Sequence, residues 1–390
     1  MALSNIGFDE ISESDLQEQV TAGVPEGVLI DYKRDMYGRA DADKREFLKD
    51  ISSFANSSGG HLIIGIDESG GVPTTIVALT GNPDDDLQRL ENLARSGLEP
   101  RIVGLRIKSV PVGAGGHVLV LRIPKSWNPP HRVIAQNTNR IYGRNSAGAY
   151  EFSVDELRVV FTMAASALDR VRAFRAERLA KIDADEAIAP LQQGGGRLVL
   201  HLVPASAFSL GSKIDPEKAR AEQQLLHPMG VMGSSPRINF DGFSNIHDNG
   251  NGRCTSYTQV FRNGSLEAVL AGILDVSGNR LWLGAIGSYV FGQLSEYLKA
   301  LQSLDISPPI VLMLTLQGVR GAVPSLQHNL RNASPIDRSV LELPEVIFEQ
   351  YGDEIDYHRT ARPALDALWN THGVARSNFF NSEGQWQAPP

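Results

Sequence analysis

The chain has 390 residues, enough for about two or three domains of ordinary size. Hydrophobic residues make up 42% and charged residues 21% of it, a composition that is typical of globular proteins and excludes disordered and collagen-like classes. Its 37 basic and 45 acidic side chains give a formal net charge of −8 at pH 7, which argues against a protein that coats nucleic acid by bulk attraction.

The sequence carries no signal for a membrane or for secretion. No stretch approaches the roughly 18 consecutive apolar residues of a membrane-spanning helix. The N-terminus lacks the basic start and apolar core of a signal peptide. Cys254 is the one cysteine, so no disulfide can form within the chain. We therefore expect a cytoplasmic protein without a membrane partner.

The first 165 residues are expected to form a mixed sheet with flanking helices. Short apolar runs predict strands, and apolar residues at helical spacing predict helices. Asp43 and Glu46 have the spacing of a capping box, so we expect a helix to begin there. In chain order, the predicted elements are an acidic helix over residues 6–22, a strand over 27–33, a helix from 43 that ends before 57–60, a strand over 61–66, a helix after 84–86, a hairpin of strands 103–112 and 117–123, and a short strand over 140–144.

The remainder of the chain predicts a long helix, a linker and a second domain. Ser153 and Glu156 form another capping-box pattern, which opens the long helix. Residues 192–196 contain three glycines and are typical of a linker. Strand and helix patterns follow it. We thus predict an α+β protein with a first domain over residues 1–165, a helical connector and linker over 166–196, and a second α+β domain over 197–390.

Four acidic residues lie in or beside predicted strands, where carboxylates are costly unless compensated. They are Glu26, Asp31, Asp67 and Glu68. Carboxylates that meet at strand ends are typical ligands of Mg²⁺ or Mn²⁺, and such ions promote phosphodiester cleavage. Lys33 would then stabilise charge on the phosphate. In the alternative interpretation, Asp31 pairs with Lys33 or Arg34 at a sheet edge, and Asp67 makes a turn.

The sequence from Pro100 to Tyr150 contains no Asp or Glu, which makes it a candidate phosphate-binding surface. Within it Arg140, Tyr142 and Arg144 alternate, so they share one face of a strand and suit phosphate contact with base stacking. The alternative is an outer face that is basic by chance, with the tyrosine packed between arginine stems. The residues expected to contact nucleic acid are Lys33, Arg34, Arg132, Arg140, Tyr142 and Arg144.

Several sequence blocks resemble the Schlafen AlbA_2 domain, a nucleic-acid-handling module whose pattern reads E-x-K, F-A-N-x-x-G-G and G-V-D-D. The corresponding blocks of this chain are Asp31–Arg34, Phe54–Gly60 and Leu62–Asp67, with later similarities at Tyr142–Ser146 and Asp155–Leu157. The resemblance covers roughly residues 10–165, which is under half of the chain. It implies a mixed sheet with flanking helices and a ligand that is nucleic acid, with RNA expected before DNA.

Eukaryotic Schlafen proteins include endoribonucleases that act on transfer RNA, so the resemblance implies a catalytic site here as well. Catalytic roles are expected for Glu26, Asp31, Lys33 and Glu68, and a Mg²⁺ or Mn²⁺ ion is expected at Glu26, Asp31, Asp67 and Glu68. Asp31 stands where the family has Glu, and Glu68 stands where it has a second Asp. Both changes keep a carboxylate and alter its reach by one methylene.

The first functional hypothesis is therefore a metal-dependent endoribonuclease in bacterial stress response or phage defence. Its second domain would sense a signal or assemble the chain into a homo-oligomer. The alternatives are a non-catalytic regulator that binds DNA or RNA, and an assembly protein in which residues 197–390 are the functional part.

Overall fold

The structure, a computed structural model, describes residue 3 and residues 7–113, 115–135, 138–208, 214–275, 279–325 and 333–388. Of residues 163–167 it describes the backbone alone. The chain divides into two compact units, Met1–Asp169 and Arg170–Pro390. Within the described residues, no helix is both long and apolar enough to cross a membrane.

The first unit contains three helices ahead of its share of a fourth, longer one, counted over the described residues. Its elements are α1 (Glu13–Thr21), β1 (Ile30–Lys33), α2 (Asp41–Asn56), β2 (Gly60–Ile64), β3 (Ile66–Ser69), β4 (Val72–Ile76), α3 (Pro83–Gly97), β5 (Leu98–Glu99), β6 (Arg106–Val112), β7 (Gly116–Ile123), β8 (Arg132–Val133), β9 (Arg140–Asn145), β10 (Gly148–Glu151) and α4 (Val154–Asp183). The first half of α4 belongs to this unit and the second half to the next.

The main sheet of the first unit has the strand order β1-β2-β7-β6, with β1 parallel to β2 and the other neighbours antiparallel. Successive side chains of a strand point to opposite faces. Tyr32 therefore packs in the cluster that contains Phe8 and Leu16, on the face away from α2. Asp31 and Lys33 lie on the other face, which carries α2. Two charged residues thus sit between an edge strand and a helix.

A second sheet of this unit has the order β10-β9-β8-β5, and β3 and β4 form a separate hairpin. Helix α2 packs against β9 of the second sheet. Apolar side chains of α2 and of strands β2 and β7 form the core between them, together with Val133 from β8. Helix α2 therefore packs against both sheets and joins them.

The second unit is built on one large antiparallel sheet. Its elements after α4 are β11 (Arg197–Pro204), α5 (Pro216–Ala221), β12 (Ser235–Asn239), β13 (Gly242–Asp248), β14 (Cys254–Phe261), β15 (Leu266–Ala271), β16 (Leu274–Asp275), β17 (Arg280–Leu281), α6 (Leu283–Ser303), β18 (Ile310–Gln317), β19 (Val323–Pro324), β20 (Val340–Glu342), β21 (Val346–Phe348) and α7 (Glu354–Asn370). The large sheet has the order β12-β13-β14-β15-β11-β18-β20, and β21 also pairs with β18.

Helices cover both faces of the large sheet. On one face, α6 and α7 pack on a core that includes Leu200 and Leu314. On the other face lies the second half of α4, whose Val171, Leu179 and Ile182 contact apolar strand residues. The sequence predicted a connector over residues 166–196. From Arg170 on, these residues are part of the second compact unit.

The prediction of an α+β fold is confirmed. The capping box at Ser153 is also confirmed, because the Ser153 amide donates to Glu156 over 2.8 Å and the Glu156 amide donates back to the serine hydroxyl. The capping box at Asp43 is wrong. Helix α2 begins at Asp41, two residues earlier, because the Asp43 carboxylate lies against Gly38 instead of capping the helix.

Candidate functional site

The centre of the candidate site is a buried ion pair between Asp31 of β1 and Arg144 of β9. Arg144 Nη2 donates to Asp31 Oδ2 over 2.7 Å, and the two side chains are 2% and 7% exposed. Arg144 Nε donates to the Gly27 carbonyl over 2.8 Å, and the guanidinium lies 4.1 Å from the ring centroid of Phe54. Burying a pair of charges is costly, so the hydrogen bonds and the aromatic face are what make the arrangement tenable.

The segment Phe54–Gly60, which carries the F-A-N-x-x-G-G resemblance, positions Arg144. The buried Asn56 amide donates to the carbonyls of His131 and Tyr142 and accepts from the His131 amide, so it joins the end of α2 to β8 and β9. The Ser57 hydroxyl accepts from the Arg144 amide over 2.8 Å. Asn56 therefore does more than shape a turn: it bonds two strands to the helix that presents Phe54.

Two glycines of the same segment are required by close backbone approach. Gly59 and Gly60 have φ values of +72° and +151°, which side-chain-bearing residues rarely adopt. A Cβ atom on Gly59 would lie 2.5 Å from the Lys125 amide nitrogen, and one on Gly60 would lie 2.5 Å from the Leu29 carbonyl oxygen. The chain can thus pass tightly from α2 into β2, next to the strand that holds Asp31.

Lys33 extends the ion pair into a network. Its ammonium donates to Asp31 Oδ1 over 2.9 Å and lies 3.8 Å from Asp50 Oδ2 of α2, while its side chain is 32% exposed. Burial lowers the pKa of Lys33, but the charges of Asp50 and Asp31 outweigh this and raise it above its usual value. The lysine therefore stays charged and reaches the surface.

Asp50 and Tyr37 belong to the network but were not predicted. The Tyr37 hydroxyl donates to Asp50 Oδ2 over 2.6 Å in a buried setting. Burial raises the pKa of Asp50 to about 6, against the opposing charge of Lys33. The spacing carried a usable signal, because Asp50 falls on the same face of α2 as Phe47 and Phe54, where a lone carboxylate is out of place. Tyr37 lies in a loop without a comparable pattern.

Glu26 lies beside Asp31, although five residues separate them. Glu26 Oε1 accepts from the Tyr32 amide over 2.8 Å, which folds the residue back over the start of β1. Burial raises the pKa of Glu26, and the neighbouring Asp31 carboxyl adds to the rise through its charge and a shared hydrogen bond. Glu26 is therefore the carboxyl of the pair that holds a proton more readily, because the cations stabilise Asp31.

Asp67 and Glu68 do not join this pair. Asp67 Oδ2 accepts from Arg34 over 2.9 Å, and Glu68 Oε2 accepts from the Gly71 amide over 2.6 Å in the turn of the β3–β4 hairpin. Across the described residues, no group of three or more His, Cys, Asp or Glu side chains could hold a metal ion. The side chains therefore do not fit the predicted four-carboxylate Mg²⁺ or Mn²⁺ site, since Asp31 is occupied by cations and the hairpin engages Glu68.

Several arginines of the Pro100–Tyr150 stretch pair with acids from outside it. Arg106 pairs with Asp9, Arg132 with Glu99, and Arg140 with Glu151. The absence of carboxylates from this part of the sequence therefore does not leave these three arginines without acidic partners.

The predicted nucleic-acid contacts are also not on one face. Arg132 is opposite Ile141 and Val133 is opposite Arg140 in the β8–β9 register, so the two arginine side chains leave opposite faces of the sheet. Tyr142 packs against the core of the first unit. Arg144 is buried in its ion pair with Asp31, so its side chain is not accessible as the predicted phosphate contact. Arg34 and Arg140 are exposed, at 57% and 60% of their side-chain surface.

Residues 26–153 match the sequence model of the family described as Schlafen, AlbA_2. The match confirms, for this segment, the resemblance to the Schlafen AlbA_2 domain that the sequence blocks around Asp31 and Asn56 indicated. The family match supports a function related to nucleic acid.

Solved structures with some similarity include two bacterial proteins. One is the N-terminal domain of a RecG-related protein from Nitrosomonas europaea, with 23% identity and a TM-score of 0.27 over 37% of this chain and 94% of that chain. The other is the DIP2311 protein from Corynebacterium diphtheriae, with 15% identity and a TM-score of 0.25 over 54% of this chain and 33% of that chain. No curated protein matches this chain significantly.

The buried ion pair predicts opposite outcomes for two arginines of one strand. Arg144→Ala leaves the Asp31 carboxylate buried beside Lys33 alone, and we expect it to lower the free energy of unfolding of the first unit by about 3–5 kcal/mol. Arg140→Ala removes an exposed ion pair and is expected to cost less than about 1 kcal/mol. Urea unfolding followed by hydrogen exchange of peptides from residues 26–153 measures both. Equal costs for the two substitutions would contradict the structural role of Arg144.

The raised pKa of Asp50 predicts a pH-dependent stability difference. The carboxyl binds a proton more tightly in the folded state than at its usual pKa of 3.8, so the folded state loses stability from this group as pH rises from about 4 to about 6. The unfolding free energy of the wild type minus that of Asp50→Asn should therefore fall over this window and stay constant above it. Urea unfolding at pH 4, 5, 6 and 7 tests this, and a difference that does not change with pH counts against it.

Proposed function

We propose that the Schlafen AlbA_2 domain of this protein binds nucleic acid, RNA in preference to DNA, through the cations at the end of β1. The observation that carries the proposal is the position of Lys33. Its ammonium is held by Asp31 and Asp50, its raised pKa keeps it charged, and a third of its side chain is open to solvent. An anchored, exposed cation suits a phosphate group, which needs charge without sequence information.

Arg34 follows Lys33 directly and extends the same end of the strand. Its guanidinium is exposed and paired with Asp67, which is itself partly exposed. Surface ion pairs of this kind contribute little to stability, so a phosphate can replace the carboxylate at small cost. Arg132 and Arg140 are in similar exposed pairs and would act as peripheral contacts.

RNA cleavage is a second candidate, and the pairing of Glu26 with Asp31 favours it. Glu26 has a raised pKa and lies beside the Asp31–Lys33 pair. A carboxyl that exchanges protons nearer neutral pH can act as a general base toward a ribose hydroxyl, while Lys33 stabilises charge on the phosphate. Because the described carboxylates do not fit an ion, no step is assigned to Mg²⁺ or Mn²⁺. For this second candidate, the proposed substrate is transfer RNA and the proposed biological role is phage defence or stress response.

Loss of a phosphate contact should appear in the salt dependence of binding. Arg34→Ala is expected to weaken RNA binding and to reduce the slope of log affinity against log salt by about 1. Lys33→Met, which keeps the length of the side chain and removes its charge, should have the same effect. Fluorescence anisotropy with a labelled RNA hairpin and with DNA of the same sequence measures affinity and preference.

Arg95→Ala is the matched control for these variants, because Arg95 is an exposed arginine on α3. It should leave affinity and slope unchanged. A wild-type protein that binds neither probe at low salt, or an Arg34→Ala slope equal to the wild-type slope, would exclude this surface as the binding site.

The second candidate is tested with the same RNA. Wild-type protein should cut it, and Glu26→Gln should cut it at least about 100-fold more slowly while binding it equally well. Parallel reactions with Mg²⁺, with Mn²⁺ and with EDTA show whether an ion takes part. No cleavage by the wild type under all three conditions removes this candidate and leaves binding as the function.

A further inference from the structure

A row of polar side chains crosses the large sheet of the second unit. In the strand registers, Arg237 of β12 is opposite Ser244 of β13, which is opposite Gln259 of β14. Gln259 is opposite Glu267 of β15, which is opposite His201 of β11. The four residues after Arg237 are fully buried. Directly opposed residues point to the same face, so the row lies on one side of the sheet, under the second half of α4.

The inner end of the row is a buried charge cluster centred on Glu267. Arg178 of α4 donates to both oxygens of Glu267 over 2.9 Å, and the Tyr257 hydroxyl donates to the same carboxylate over 2.7 Å. His201 Nε2 lies 3.0 Å from Glu267 Oε2. Burial raises the pKa of Glu267, but His201 and Arg178 outweigh it and bring the pKa to about 2. The bonds of Arg178 to Glu267 explain how α4 is fixed to the sheet.

The outer end of the row opens into a cavity of about 290 Å³ between α4 and the edge strand β12. That volume is near the lower limit of about 300 Å³ for small-molecule sites. Among the residues that line it are Arg178, Lys181, Arg237, Asn239, Phe240 and Ser244, with the acids Glu186 and Asp241. The Arg237 side chain is exposed, and the described residues give its guanidinium no hydrogen bond or ion pair.

The floor of the cavity offers hydrogen-bonding groups that are already oriented. Asn239 Nδ2 donates to Gln259 Oε1 over 2.8 Å and to the Ser244 hydroxyl over 3.3 Å. The Ser244 hydroxyl donates to the Arg237 carbonyl over 3.2 Å. These hydrogen bonds hold the polar floor of the cavity in one arrangement beneath Arg237.

Phe240 provides an aromatic face at the rim. It is 92% exposed at the two-residue turn between β12 and β13. The turn is held in place because Arg262 Nε donates to the Phe240 carbonyl over 2.9 Å and the Gly242 amide donates to Asn239 Oδ1 over 2.8 Å. An exposed phenylalanine ring leaves apolar surface in contact with water, which is unfavourable. A planar group stacked on the ring would remove that contact.

We infer that this cavity binds a mononucleotide. Arg237 suits a phosphate group. Lys181 also lines the cavity, where its ammonium is paired with Glu177 over 2.7 Å. Phe240 suits the face of a base, which stacks on aromatic side chains whatever its identity. The carboxylates of Glu186 and Asp241, which also line the cavity, suit hydrogen bonds from ribose hydroxyls. The combination of one free guanidinium, one exposed ring and a fixed polar floor in a small cavity matches a phosphate joined to a planar ring.

The full-length protein is titrated with AMP, GMP, CMP and UMP by isothermal titration calorimetry. We expect at least one of them to bind, and the matching nucleoside and inorganic phosphate each to bind at least about tenfold more weakly. Arg237→Ala and Phe240→Ala should each weaken the nucleotide about tenfold, since a charged hydrogen bond or a stacked base is worth roughly 1–3 kcal/mol. Both residues are at the surface, so the melting temperature should not change.

Arg376→Ala is the control, because Arg376 is another exposed arginine of the second unit outside the cavity. It should bind the nucleotide as the wild type does. The inference is overturned if all four nucleotides fail to bind at millimolar concentration, if inorganic phosphate binds as tightly as the nucleotide, or if Arg237→Ala and Phe240→Ala bind it normally. These outcomes are independent of RNA binding by the first unit.

Discussion

The structure of the first unit depends on one buried ion pair, that of Asp31 with Arg144. The pair links β1, the edge strand of one sheet, to β9 of another over 2.7 Å. Its desolvation is costly, and the surrounding contacts offset this cost: the ring of Phe54 on one side and the Gly27 carbonyl on another. The Phe54–Gly60 segment can therefore be understood as the support of a charge, and the two sheets meet where that charge lies.

This constraint separates structural cations from those available to a ligand. Arg144 is occupied and buried, whereas Lys33 is bound by the same carboxylate and still reaches solvent. Asp31 thereby holds one cation for the fold and orients another for the surface. The carboxylates of the described residues do not gather into a site for a metal ion, so the structure does not support a nuclease mechanism built on four carboxylates.

The sequence predicted the fold class and most strands of the first unit, because those features follow from short-range patterns. It did not predict the partners of the charges. Arg144 and Asp31 are 113 positions apart in the sequence. Glu99 and Glu151 directly flank the acid-free stretch, and each pairs with an arginine inside it. Charge pairing is set by which strands become neighbours, and residue spacing along one segment does not contain that information.

The polar row of the second unit has a consequence for how the large sheet assembles. A slip of β15 by one residue would turn the Glu267 carboxylate toward the apolar face that holds Leu266 and Ala268. It would also move the carboxylate away from Arg178, its partner on the other face, and leave a buried charge unpaired. Misaligned pairings of these strands therefore cost more free energy than they would in a sheet of uniform aliphatic residues. The buried polar row thus fixes the register of the strands.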